Sequence, residues 1–169
     1  MVRRILPQIG IQLAVVAGLL LCLMSTSAFA ITCGGPFNPL TVSATGINFG
    51  NYDPGSPSAT TSEGSVIVAC ELSVDVLPTF AVSLSSGRAA HHSVREMSAG
   101  HEHRLYFNLY TTASHTVIWA DGTGDSETKS YDGLLVLSHV ELTIYGLLPA
   151  KQFVPAGVYS DTIVVTVEY

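Results

Sequence analysis

Residues 157–169 read GVYSDTIVVTVEY, and after Asp161 they alternate. In an extended chain Ile163, Val165, Val167 and Tyr169 share one side, and Thr162, Val164, Thr166 and Glu168 share the other. This is the pattern of a β-strand with one face meant for a core. A strand this apolar needs a neighbour along each edge, or a device that blunts the free one. No later run in the sequence can serve, so the partner must be an earlier strand or another polypeptide.

Working back from that strand, short runs rich in Val, Ile, Tyr, Phe and Thr recur between Gly, Pro, Ser and Asp clusters. No helix-period segment of useful length occurs between residues 31 and 169. Strands are expected at LTVSATGINFG (40–50, with a break at Gly46), SVIVACE (65–71), TFAVSLS (79–85) and RLYFNLYT (104–111). Further strands are TVIWA (116–120), LSHVELTIYGLL (137–148) and the terminal run, about seven in all. Leu105, Phe107 and Leu109 alternate with Tyr106, Asn108 and Tyr110, and Phe80, Val82 and Leu84 with Ala81 and Ser83. Half-buried strands of this kind favour a two-sheet antiparallel sandwich over a parallel sheet. Residues 51–64 and 121–133 read as loops. Trp119 is expected to fill the centre between the sheets, and Tyr159 to hydrogen-bond a loop.

Residues 1–30 are expected to be a signal peptide. Arg3 and Arg4 give a positive start, residues 9–24 are almost wholly apolar, and SAFA (27–30) places Ala28 and Ala30 where signal peptidase reads small residues. The apolar run is short for a span and lacks a stop-transfer cluster, so no membrane span is expected after cleavage. The mature domain is then residues 31–169. Two of the seven basic residues fall in the leader, leaving five against thirteen acidic ones, a formal charge of −8. Nucleic-acid binding rests on a basic footprint and is not expected of such a chain. Cleavage also leaves Cys33 and Cys70 as an even pair in an exported protein, which reads as one disulfide. Closing a loop of about 38 residues is worth roughly 4 kcal/mol in the chain-entropy model.

Five of the six histidines lie between His91 and His115, and HEH (101–103) puts His101 and His103 on one side of an extended segment. They are the metal-ligand candidates, but no spacing matches a zinc pattern, and loop histidines are the simpler reading. The acidic loop DGTGDSE (121–127) lacks EF-hand spacing and reads as a solvated turn rather than a calcium site. No nucleophile-elbow motif occurs. The expectation is a protein that is not an enzyme and takes no cofactor.

VSATGINFGNYDP (42–54), GSVIVAC (64–70), VSLSSGRA (82–89), REM (95–97), LYFNLY (105–110), VIWADGTG (117–124) and residues 142–169 resemble, in that order, the spore coat protein U domain family. That family is similar to subunits of archaic chaperone-usher pili. The resemblance implies an immunoglobulin-like β-sandwich, incomplete by one strand, with a hydrophobic groove beside the last strand. It implies that a periplasmic pilus chaperone fills the groove, and that an outer-membrane usher and other pilin-like subunits follow, by β-strand addition. Ile163, Val165, Val167 and Tyr169 are then the strand-acceptor and chaperone-binding residues, and Cys33–Cys70 resembles the family's disulfide joining the first two strands.

One departure stands out. A donor segment needs roughly ten extended residues at about 3.3 Å each. Only Ile31 and Thr32 precede Cys33 in the expected mature chain, and GGPFNPL (34–40) is broken by glycine and proline. The expectation is therefore a secreted structural subunit, in transit through the periplasm to a pilus or cell surface. It would accept a strand without giving one, as a tip or minor adhesive subunit in cell adhesion or biofilm. The alternative is a stand-alone secreted or spore-surface coat protein, with a His-rich metal-binding protein behind it.

Overall fold

The computed structural model describes residue 33, residue 35 and residues 38–70, 78–100, 102–132 and 139–169. The expected signal peptide, Ile31, Thr32, His101 and the first two residues of the expected 137–148 strand lie outside the described residues. Alternation sets the architecture. Val66 and Val68, Phe80, Val82 and Leu84, Leu105, Phe107 and Leu109, and Ile144 and Leu148 all turn into one core. Their chains form two sheets, and no helix occurs among the described residues. The larger sheet runs in the order β1 (Leu40–Thr45), β2 (Thr60–Cys70), β9 (His139–Leu148), β5 (His103–Tyr110), β6 (Ile118–Trp119) and β7 (Ser126–Glu127). A further strand, β4 (Arg95–Ala99), pairs with the first half of β5. The smaller sheet is β10 (Val165–Glu168), β3 (Phe80–Leu84) and β8 (Lys129–Tyr131). Pairing is antiparallel except between β6 and β7.

Two buried side chains sew the sheets together. Trp119, fully buried as expected, donates its indole N–H to the Val82 carbonyl across the core at 2.8 Å. Arg95, equally buried, donates to the carbonyls of Ser85 (2.9 Å), Leu84 (3.2 Å) and Trp119 (2.9 Å), and to Asn108 Oδ1 at 2.6 Å. Asn108 in turn donates to the carbonyls of His92 and Ser93. Burial pulls the Arg95 pKa down to about 10, against the pull of Asp161 and Asp121, so the group stays charged at neutral pH. A buried cation is tolerated here because its fork of donors is filled by carbonyls. Cys33 and Cys70 form the expected disulfide, with Cα atoms 5.7 Å apart. It ties the lead-in of β1 to the last residue of β2.

Among the described residues there are ten strands rather than about seven. The segment 121–133 is not all loop, since β7 and β8 lie within it; both are short strands at sheet margins, with Tyr131 packed on the core beside Phe80. REMSA, whose alternation begins on an arginine, is β4; Arg95 is fully buried, and Met97 packs partly buried on the core. The first strand stops at Thr45, and β2 starts at Thr60 within what reads as a loop.

Candidate functional site

The terminal strand has a neighbour on one edge. Val165, Thr166, Val167 and Glu168 register with Leu84, Ser83, Val82 and Ala81 of β3. Ahead of it, the Val164 carbonyl accepts from Ser85 N–H (3.0 Å), and the Val164 N–H donates to Ser85 Oγ (2.9 Å). Further back, Ser160 exchanges both backbone hydrogen bonds with Ser98 of β4. Backbone polar groups alternate sides along an extended chain, so the even-numbered residues point at β3 and β4. The N–H and C=O groups of Ile163, Val165 and Val167 therefore point the other way, along an edge that no strand covers among the described residues. Elsewhere such an edge is blunted. The Gln152 side-chain amide accepts from the Tyr106 N–H and donates to the Tyr106 carbonyl, each at 2.8 Å, taking the place of a strand there.

Beside the free edge lies a groove. One wall is the lead-in and start of β10, with Tyr159, Asp161, Ile163 and Val165; the other is the end of β1 and the chain after it, from Ala44 to Phe49. The floor is core: Leu84, Phe107, Leu109 and Ile144. The cavity measures about 370 Å³. It continues past Ile47, Phe49, Met97 and Tyr159 into a second chamber of about 570 Å³, over Leu105 and Leu148.

Two glycines seat the far wall. A Cβ on Gly146 of β9 would lie 2.9 Å from the Phe49 ring and 3.1 Å from Ile47. One on Gly64 of β2 would lie 2.7 Å from the Thr45 carbonyl oxygen. With neither side chain present, the chain after β1 drops onto the sheet, and Phe49 meets Phe107 edge-on at 6.0 Å. Tyr52 fixes the outer end, its hydroxyl donating to the Pro149 carbonyl at 2.9 Å and accepting from the Gln152 N–H at 2.7 Å. Tyr159 caps the opposite wall by donating to the Pro155 carbonyl, as expected of a tyrosine ahead of the last strand. The walls are mainly apolar, with Thr45, Tyr159, Ser160 and Asp161 as their polar residues. The Asp161 carboxylate is 5% exposed, and Oδ1 accepts the Arg88 N–H at 3.2 Å with Arg88 Nε at 4.0 Å. The groove is thus a mainly apolar surface beside an uncovered strand edge. It can take an extended apolar segment, hydrogen-bonded along β10.

Of the residues singled out in the sequence, Ile163 and Val165 line the groove. Val167 packs on the core further along, and Tyr169 is 66% exposed. His103 is exposed at the start of β5. Among the described residues no three of His, Cys, Asp and Glu converge as metal ligands, and no helix is long and apolar enough to cross a membrane. The far wall was missed. Its signal is the glycine inside TIYGLL, which in a strand marks a close approach of another segment.

The Spore Coat Protein U domain family model matches residues 21–166. Protein U of Myxococcus xanthus is 30% identical over 132 residues, 73% of this chain and 71% of that one. Among solved structures, the chain resembles part of the CsuC-CsuE chaperone-tip adhesion subunit pre-assembly complex from archaic chaperone-usher Csu pili of Acinetobacter baumannii. The TM-score is 0.54 at 19% identity over 78% of this chain, a likeness of fold. This chain spans 40% of the solved chain it matches.

Proposed function

The chain belongs to the spore coat protein U domain family, and from that premise we propose that it is an exported structural subunit whose groove accepts a β-strand from another polypeptide. One observation carries the reading: a mainly apolar groove, floored by core residues, runs along the edge of β10 that no strand covers among the described residues. Residues 1–30 direct export and are removed. A periplasmic chaperone then supplies the first strand, an usher receives the complex, and a neighbouring subunit's segment replaces the chaperone's. Main-chain bonds to Ile163, Val165 and Val167 form the ladder, and side chains entering over Leu84, Phe107 and Ile144 give it affinity. The front end, two residues before Cys33 and then a run broken by glycine and proline, makes a poor donor, which suits a terminal or minor subunit in an adhesive fibre. Binding of this kind needs no catalytic group. A second reading, a secreted coat protein that does not polymerise, draws on the family's description as a Spore Coat Protein U domain.

Secretion tests the acceptor reading. Expressed alone in a bacterial periplasm, the chain should aggregate or be degraded, because the groove and the edge of β10 beside it are left without a strand. Co-expression with a periplasmic chaperone of the archaic pilus type should yield a stable equimolar complex. A soluble, protease-resistant monomer secreted in the same yield with and without a chaperone would overturn the proposal and favour the coat protein with a self-sufficient fold.

A further inference from the structure

Two motifs that the acceptor role leaves unused meet on the other face of β10. The histidine pair at 91–92 and the acidic loop starting at Asp121 are far apart in sequence, yet His92 Nδ1 stands 3.7 Å from Asp121 Oδ1. Together they wall a cleft of about 400 Å³. Its floor is the outward side of the smaller sheet: Ser83 and Thr166, a registered pair, and Ser85 and Val164, joined by backbone bonds. This volume falls in the range of small-ligand sites, about 300–1,000 Å³.

The chemistry of the lining selects the ligand class. Serine, threonine and imidazole groups each offer donors as well as acceptors, and Asp121 offers a charged acceptor. Asp121 Oδ1 is committed to the turn, accepting the Thr123 N–H at 3.0 Å and the Thr123 hydroxyl at 2.7 Å. No bond to its second oxygen occurs among the described residues. Ser85 Oγ already accepts from the N–H groups of Gly87 and Val164, which leaves its own proton to donate outward. Val164, 60% exposed, supplies an apolar strip across the polar floor. A carboxylate in the wall disfavours an anion, and three metal ligands do not converge among the described residues. Closely spaced donors and acceptors, one carboxylate and an apolar strip match the hydroxyl and C–H faces of a sugar ring. We propose that this cleft binds a saccharide, with Asp121 and His92 taking its hydroxyl groups and Val164 its C–H face.

The site stands apart from the groove, so its test does not depend on strand acceptance. The isotope-labelled secreted chain, purified alone or with a chaperone that co-purifies, is titrated with the methyl glycosides of glucose, galactose, mannose and N-acetylglucosamine at tens of millimolar. At least one sugar should shift the backbone amides of Ser83, Ser85, His92, Thr123 and Thr166. Asp121→Asn should weaken that binding about tenfold or more, the scale of one hydrogen bond to a charged group. Thr166→Glu, which projects a longer charged side chain from the floor, should abolish it. Failure of all four sugars to shift these amides overturns the proposal. So do shifts that persist unchanged in both variants.

Discussion

Arg95 shows how much of this fold rests on a single polar side chain. Truncating it leaves the carbonyls of Leu84, Ser85 and Trp119 without their donor and opens space between the sheets. Arg95→Ala should therefore cost about 3–5 kcal/mol, the scale of breaking a buried charged network. Urea unfolding of the purified complex or refolded chain measures this; a loss under about 1 kcal/mol would mean that the network is redundant. Arg95→Lys should recover little, because one ammonium cannot reach three carbonyls and an amide in a planar fork. The sequence concealed this role. A buried arginine breaks the apolar alternation by which strands are recognised, so β4 was invisible for the same reason that it matters. Trp119 was legible because a lone tryptophan in a sandwich has few other places to go.

At the scale of elements, β10 carries two faces with separate duties, and its alternation displayed both. Val165 turns to the groove and the core, whereas Val164 is exposed on the far side. Val165→Asp puts a carboxylate against Leu84 and Ile144, should cost at least about 2 kcal/mol, and should abolish recovery of a chaperone complex. Val164→Asp, one residue away, should leave the yield of complex near wild type. Equal yields of the two variants, by affinity purification, would contradict the assignment of faces. The disulfide acts at this scale too. Replacing Cys33 and Cys70 with serine frees the lead-in of β1 from the end of β2, and should lower stability by roughly 4 kcal/mol without altering the groove walls. An unchanged urea midpoint would count against that role. The margin strands β7 and β8 escaped sequence reading because two or three polar residues give no periodicity to detect.

For the whole molecule, the sandwich and its last strand were legible, since β3, β5 and β10 alternate cleanly where they border the groove. The far wall was not. Ile47 and Phe49 lie in a stretch that looked like the continuation of β1, and only the fit against Gly64 and Gly146 makes it a wall. Between the two walls the groove reaches down to buried core residues, and the odd-numbered ladder positions of β10 have no strand partner among the described residues. A segment from outside the chain would close the core and complete the smaller sheet in one step. Hydrogen exchange at single β10 amides tests this most directly, by comparing the chain refolded without a partner with the chaperone-bound chain. The account predicts that Val164 and Thr166, which face β3, are protected in both states. Ile163, Val165 and Val167 should exchange freely in the refolded chain and become protected in the complex. Protection of all five amides without a partner, or free exchange of the odd-numbered three in the complex, would contradict it.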